Sequence, residues 1–397
     1  MNLSNLFFII EGIKKDLTDD IFISNFTIDS REANNGVFIA INSGYKYIDD
    51  AINNGAKVII TEHDIDIDNV IYFKVENSLD ILIKIASYLL KKCNPVKIAI
   101  TGSYGKTTTK ELIYNALKNK HNSLCNYGNE NNLIGVLKTI LKINSNIEYL
   151  ILEFGMNHIG EISRLSKLVN PDIGIITSIG TSHIGYLKSK KNILKAKLEI
   201  LDGNPDMMLM VNGSDKYLKK LKCYHVKKYN FDIKYKYMEM NYSIAYDLLK
   251  LIDLTDDEIF NSFNNYKMLT HRMNEIVKDN YLIIDDTYNA SYESIVGGLS
   301  YINDFDDKKI IILGDILELG KYAKKIHKRI NKYLKKINNK SVLLVGEYTK
   351  YIKGIHFNNN LELLNYLNNM DKSNSVIYVK GSHAMNLDFI IEELIKV

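Results

Sequence analysis

Short runs of β-branched and aliphatic residues recur along the chain, each closed by a glycine or a polar cluster and followed by a helix-like segment. The first are Val96 to Ile100 before Thr101-Gly102, Tyr149 to Leu152 before Glu153, and Ile173 to Ile176 before Thr177. Further on come Leu282 to Ile284 before Asp285-Asp286, Ile310 to Leu313 before Gly314-Asp315, Val342 to Val345 before Gly346, and Val376 to Val379 before Lys380-Gly381-Ser382. Continuous apolar runs of this length predict parallel strands buried on both faces. In open α/β sheets ligands bind just beyond the carboxyl ends of the strands, so the polar clusters mark the candidate chemistry.

Two polar stretches interrupt the series. Lys91-Lys92-Cys93-Asn94-Pro95 reads as a linker, with proline directly before the first strong strand, and Tyr266 to Arg272 precedes the run ending in Asp285-Asp286. They divide the 397 residues into 1–93, 94–267 and 268–397, which agrees with roughly 150 residues per domain. Hydrophobic residues at 46% and charged residues at 25% exclude disorder and coiled coil. A net charge of +4 is too small to suggest by itself a face for nucleic acid or membrane, so small-molecule partners and no nucleic acid are expected. The apolar run Leu6 to Ile10 stops at Glu11, far short of the ~20 residues of a membrane span. Cys93, Cys125 and Cys223 lack the spacing of a disulfide framework or a zinc site. The expectation is a cytoplasmic monomer without membrane insertion.

The clearest chemistry follows the first strong strand. Thr101-Gly102-Ser103-Tyr104-Gly105-Lys106-Thr107-Thr108-Thr109 precedes a segment with Leu112, Ile113, Ala116 and Leu117 on one helical face. Strand, glycine loop and helix form the setting of a phosphate loop, in the compact spacing T-G-x-x-G-K-T-T. Backbone N–H groups and the helix N-terminus cradle phosphates, Lys106 neutralises the outer ones, and the Thr107 hydroxyl can reach Mg²⁺. The next strand ends give Glu153 and His183, a carboxylate and an imidazole that could reach a metal bridging phosphate and substrate. Each also reads as an ordinary residue, Glu153 beside a helix start and His183 on a surface loop. Lys197, among Ala196, Leu198, Ile200 and Leu201, reads by default as a solvated helix lysine.

Together these residues resemble the Mur ligases, the ATP-dependent amide-forming enzymes of peptidoglycan assembly, nearly end to end. The first domain contributes Ile28-Asp29-Ser30-Arg31 and Gly36-Val37-Phe38-Ile39-Ala40. The second contributes the phosphate loop, Gly128-Asn129-Glu130-Asn131-Asn132, Glu153-Phe154-Gly155-Met156-Asn157 and Ala196-Lys197-Leu198-Glu199-Ile200. Asp285-Asp286-Thr287-Tyr288-Asn289-Ala290, Leu313-Gly314-Asp315, Glu318-Leu319-Gly320, His327 and Lys380-Gly381-Ser382 complete the match. The resemblance implies a central parallel-sheet ATP-binding domain, flanked by an N-terminal α/β domain for a UDP-sugar substrate and a C-terminal Rossmann-like domain. It implies ATP and Mg²⁺ as cofactors, and the members it matches most fully add D-alanyl-D-alanine to a UDP-linked muramoyl tripeptide.

By the same resemblance, residues 101–108 hold the ATP phosphates, with Thr101, Gly102, Ser103, Tyr104, Gly105, Lys106, Thr107 and Thr108 all contributing. Thr107 and Glu153 ligate one Mg²⁺; His183 and a carbamylated Lys197 place a second. Arg272, Asp286 and Asn289 bring in the ribose and adenine side, while Ser30, Asn129, Asn131 and Asn132 line the substrate side. Several features depart from the family, among them Ser178 where an Asn is usual, Ser291-Tyr292 where Asn-Pro is, and His383 as the basic residue after Lys-Gly-Ser. The turn Ile41 to Tyr47 is short and lacks an Asp-Gly-His signature, the stretch from Leu201 to His271 is trimmed, and the G-H-N-x-x-N segment survives only as Met240-Asn241-Tyr242-Ser243-Ile244-Ala245. The residues therefore leave three readings open: the muropeptide ligase, a Mur-type ligase for another acid and amine, and a non-catalytic nucleotide-binding protein.

Overall fold

The computed structural model describes residues 2–12, 20–66 and 70–396. Three sheets follow one another along the chain, and the α/β three-domain architecture expected from the sequence is the one found. The first has four parallel strands in sequential order: Asn25–Thr27, Gly36–Ile39, Val58–Thr61 and Ile71–Lys74.

The second sheet is six-stranded and parallel throughout, in the order Tyr224–Val226, Met208–Asn212, Ile173–Ile176, Val96–Thr101, Tyr149–Glu153, Ser123–Cys125. From Val96–Thr101 the chain winds toward Ser123–Cys125; from Ile173–Ile176 it winds the other way. The crevice between these two adjacent strands is the switch point where such sheets bind ligands. It puts the loop 102–105 opposite residues 177–183. The register pairs Ile100 with Glu153, so the Glu153 side chain emerges beside the phosphate loop.

In the third sheet the order is Asn274–Lys278, Tyr281–Asp285, Ser375–Lys380, Lys308–Leu313, Lys340–Val345, Ile355–Phe357, parallel except for the first, antiparallel strand. Here Ser375–Lys380 is inserted between two earlier strands. Its carboxyl end therefore gathers Asp285–Asn289, Gly314–Glu318 and Lys380–His383 at one edge.

The expected linker at Lys91 to Pro95 is mostly helix. Ser78–Cys93 runs to its end through Lys91 and Lys92, and only Asn94, left-handed at φ 45°, and Pro95 lie outside it. Two lysines in a last turn interact favourably with the helix dipole, and an Asn in the left-handed region closes it. That helix packs on Leu3–Glu11 and on the helices Leu133–Ile140 and Glu161–Val169, joining the first two domains. Leu3 and Leu6 are buried beneath it, while Phe8 remains half exposed.

The helix Tyr292–Asn303 covers the third sheet, and Gly298 lets it approach Tyr378, whose side chain is fully buried. A Cβ at Gly298 would stand 2.0 Å from the Tyr378 hydroxyl. Gly298→Ala should therefore lower the melting temperature: overpacking here costs about 1–3 kcal/mol, and the helix propensity of alanine offsets at most about 1 kcal/mol of it. Thermal unfolding followed by circular dichroism checks this; an unchanged or raised midpoint would contradict it.

Candidate active site

The phosphate loop is held in shape from the neighbouring strand end. Tyr104 N donates to Ser178 Oγ at 3.0 Å, Thr177 Oγ1 donates to Tyr104 O at 2.6 Å, and Ser103 N donates to Ser178 O at 3.0 Å. Gly105 takes φ 82°, and a Cβ there would stand 2.2 Å from Asn241 Nδ2, so the position requires glycine. Asn241 in turn donates to Gly105 O and Thr109 Oγ1, each at 3.1 Å. The remnant of the trimmed G-H-N-x-x-N segment thus still touches the loop.

Glu153, 2% exposed, is the hub of the site. Its Oε2 accepts from Thr107 Oγ1 at 2.7 Å, its Oε1 accepts from Asn131 Nδ2 at 2.8 Å, and Lys106 Nζ lies 4.0 Å away. Its backbone is clamped by Asn126, which sequence reasoning did not single out. Asn126 Oδ1 accepts from Glu153 N at 2.8 Å, and its Nδ2 donates to Glu153 O at 3.1 Å and to Glu130 O at 2.8 Å. Lys110, one turn along the phosphate-loop helix and fully buried, donates to Asn126 O. A closed ring results: helix to Asn126, Asn126 to Glu153, Glu153 back to the helix through Thr107.

Lys197 is not solvated. It lies on the inward face of Lys190–Leu198 with Ile193 and Ala196, at 2% exposure. Burial, and then the Lys106 ammonium, push its amine well below the usual lysine range, against the pull of Glu153. Lys106 is also lowered by burial, with Glu153 opposing. A partly exposed amine, Lys106, and a buried one, Lys197, thus share the influence of one carboxylate.

His183, left-handed at φ 59°, is held from the third domain. Its Nδ1 lies 2.6 Å from Glu318 Oε2, and Gly185 N donates to Glu318 O at 2.9 Å. His183 holds the Glu318 carboxyl below its usual range. A second cross-domain contact joins Thr181 Oγ1 to Glu293 Oε2 at 2.8 Å.

On the opposite wall Arg272 lies 3.7 Å over the Tyr288 ring, between His271 and Met273 at φ 62° and 55°. A left-handed non-glycine residue on each side is a strained way to present one guanidinium. Asp286 accepts from Lys380 Nζ at 2.5 Å and from Tyr378 at 3.1 Å, while Lys380 also donates to Asn289 O at 3.0 Å.

A cavity of about 810 Å³ separates the two walls. Residues 102–108, Asn129, Asn131, Glu153, His183 and Lys197 line one side, and Arg272, Asp286 and Asn289 the other. Three of the expected residues lie elsewhere. Thr101 Oγ1 donates to Phe154 O at 3.0 Å, and Asn132 caps the helix Leu133–Ile140 by accepting from Gly135 N at 2.9 Å. Ser30 sits in the first domain, in the short 3-10 turn Ser30–Glu32. The short turn of that domain, Asn42–Tyr47, places Tyr45 against His63 with ring centroids 4.2 Å apart.

Comparison with known proteins adds an independent line. Residues 100–274 match the Mur ligase middle domain. The UDP-N-acetylmuramoyl-tripeptide--D-alanyl-D-alanine ligase of Rickettsia prowazekii is 30% identical, over 95% of this chain and 96% of its own length. The protein of the same name from Buchnera aphidicola subsp. Baizongia pistaciae is 32% identical, over 95% and 93%. Among solved structures, the MurF ligase of Thermotoga maritima in complex with ADP superposes with a TM-score of 0.81 at 26% identity, covering 94% of this chain and 97% of its own.

Asn126→Ala should cost about 2–3 kcal/mol of stability, since it strips partners from buried backbone groups at a typical 1–3 kcal/mol each. Urea denaturation measures it, and a midpoint within error of the parent would show that the ring carries no such load.

Proposed function

The chain belongs to the Mur ligase family, and on that premise we propose that it adds D-alanyl-D-alanine to UDP-N-acetylmuramoyl-tripeptide, converting ATP to ADP and phosphate. The observation that carries this reading is the shared cavity, with a phosphate loop, Glu153, His183 and Lys197 on one wall and Arg272, Asp286 and Asn289 on the other. We take the domains to divide near residues 93 and 267, so that the cleft lies between the second and third.

In this reading Lys106 and the N–H groups of 102–108 hold the ATP phosphates. The substrate carboxylate attacks the γ-phosphorus, ADP leaves, and the acyl phosphate loses inorganic phosphate when the dipeptide amine attacks its carbonyl carbon and gives up a proton. Lys106 steadies the charge that gathers during both displacements. An acyl phosphate is destroyed by water, so this reading requires the two walls to close over the loaded cavity before the acyl phosphate forms.

The donor set suits Mg²⁺. Among the described residues no three His, Cys, Asp or Glu side chains converge into a ready cage. Mg²⁺ rarely uses one, binding instead through one or two carboxylates, waters and substrate phosphates. Thr107 and Glu153, 2.7 Å apart beside the phosphate loop, would hold it, and His183 with a carbamylated Lys197 would hold a second. When bound, it offsets phosphate charge during transfer. Lys197 is suited to carbamylation because burial favours its neutral, nucleophilic amine.

A second reading, ligation of another acid and amine, is favoured by the short turn Asn42–Tyr47 with Tyr45 packed on His63, where the family carries a longer loop. Phosphate release from ATP and Mg²⁺, with the UDP-linked tripeptide and D-alanyl-D-alanine supplied separately and together, separates the two. Release only with both, and a product heavier by one dipeptide, establishes the first reading. ATP binding that Lys106→Ala abolishes, without release, moves the assignment to the second. Lys197→Ala should lose turnover by several orders of magnitude and regain part of it with short carboxylates; turnover equal to the parent would rule out the carbamate.

A further inference from the structure

One helix of the third domain carries charge in a pattern that the ligase reaction does not use. Residues 321–340 contain nine Lys and Arg and no Asp or Glu, so the rest of the chain sums to −5 although the whole carries +4. Averaging over the full length hid this segment. The helix Ala323–Leu334 buries Ala323, Ile326, His327, Ile330 and Leu334 against its domain. At 100° per residue the exposed Lys324, Lys325, Lys328, Arg329, Lys332 and Lys336 fall on one continuous arc of about 140°. Every fully exposed position of this helix is basic.

Among the described residues none of these six side chains has an ion-pair partner, and the contacts they make are to rings: Lys324 to Tyr351, Arg329 to Tyr292 and Lys336 to Tyr333. The pairs Lys324/Lys328, Lys325/Arg329 and Lys328/Lys332 set like charges four residues apart, a spacing that destabilises a helix. A helix serving only to cover its domain would relieve that repulsion with interspersed carboxylates, as the helix Asp388–Lys396 does with Glu393, 2.7 Å from Lys396. The arc is complementary to an extended external anion.

We propose that this face docks the protein peripherally on an anionic lipid surface. Lysine supplies five of the six charges, and lysine is a point charge on a flexible stem, suited to a mobile array of headgroup phosphates. No aromatic ring lies on the arc itself for stacking on bases, which disfavours single-stranded nucleic acid. No apolar side chain lies on it either, so attachment is electrostatic and at the surface. Among the described residues no helix is long and apolar enough to cross a membrane, in keeping with this mode.

The test is co-sedimentation of the full chain with vesicles of phosphatidylcholine alone or containing 30% phosphatidylglycerol, across a salt series. Binding to the anionic vesicles is expected to exceed that to neutral ones about tenfold or more and to vanish at high salt. The triple variants K324E/K328E/K332E and K324Q/K328Q/K332Q should both lose it while keeping the parent circular dichroism spectrum and ligase turnover in solution. Equal binding to both vesicle types, or retained binding by two folded variants, overturns the proposal. So does binding of RNA without binding of vesicles, or a raised KM for ATP in the variants with vesicle binding unchanged, which would make the face a funnel for the nucleotide.

Discussion

The Glu153 carboxylate governs the arrangement around it. Lys106, partly exposed to the cavity, and the buried Lys197 both feel this carboxylate, and their combined charge exceeds what one carboxylate can balance. Excess positive charge at low local dielectric is costly unless an amine gives up its proton or an anion arrives. Both remedies suit a phosphoryl-transfer enzyme, since one prepares Lys197 to take up a carboxyl group and the other is the phosphate chain of ATP. The hydrogen bonds of Asn126 and Asn131, and the pairing of Ile100 with Glu153, are the framework that keeps this carboxylate in place.

From that hub the rest of the cleft follows by topology. The crossover order of the second sheet opens a crevice over the phosphate loop, and the insertion of Ser375–Lys380 in the third gathers Asp286, Asn289 and Lys380 at the facing edge. Asp286 and Lys380 satisfy each other internally, so they shape the wall while Arg272, stacked on Tyr288, presents its charge to the cavity.

Seven buried strands were legible because their residues are continuously apolar, although Val58–Thr61 and Met208–Asn212, equally apolar, were passed over; the phosphate loop was legible because glycine, lysine and threonine stand at fixed spacing between a strand and a helix. The edge strands Ser123–Cys125 and Tyr224–Val226 were not, being three residues long and partly exposed. Lys197 misled in isolation because a helix carries its lysines outward by default; only the fold shows that this one is buried at the wall of the cavity. Asn126 had no local signal at all. Its partner lies 27 positions away, and a single asparagine in a polar loop looks the same whether or not it clamps a strand. The basic helix was written plainly in the sequence but vanished in the average over the chain.

Of the contacts that close the cleft, Glu293 against Thr181 is largely covered, whereas Glu318 against His183 is open to solvent. Glu318 keeps 39% of its side-chain surface, and pairs of that kind contribute about 1 kcal/mol or less. Neither contact by itself locks the cleft. Reactants that bridge both walls add their own contacts to those of the protein, so a fully loaded cleft is held more firmly than a partly loaded one.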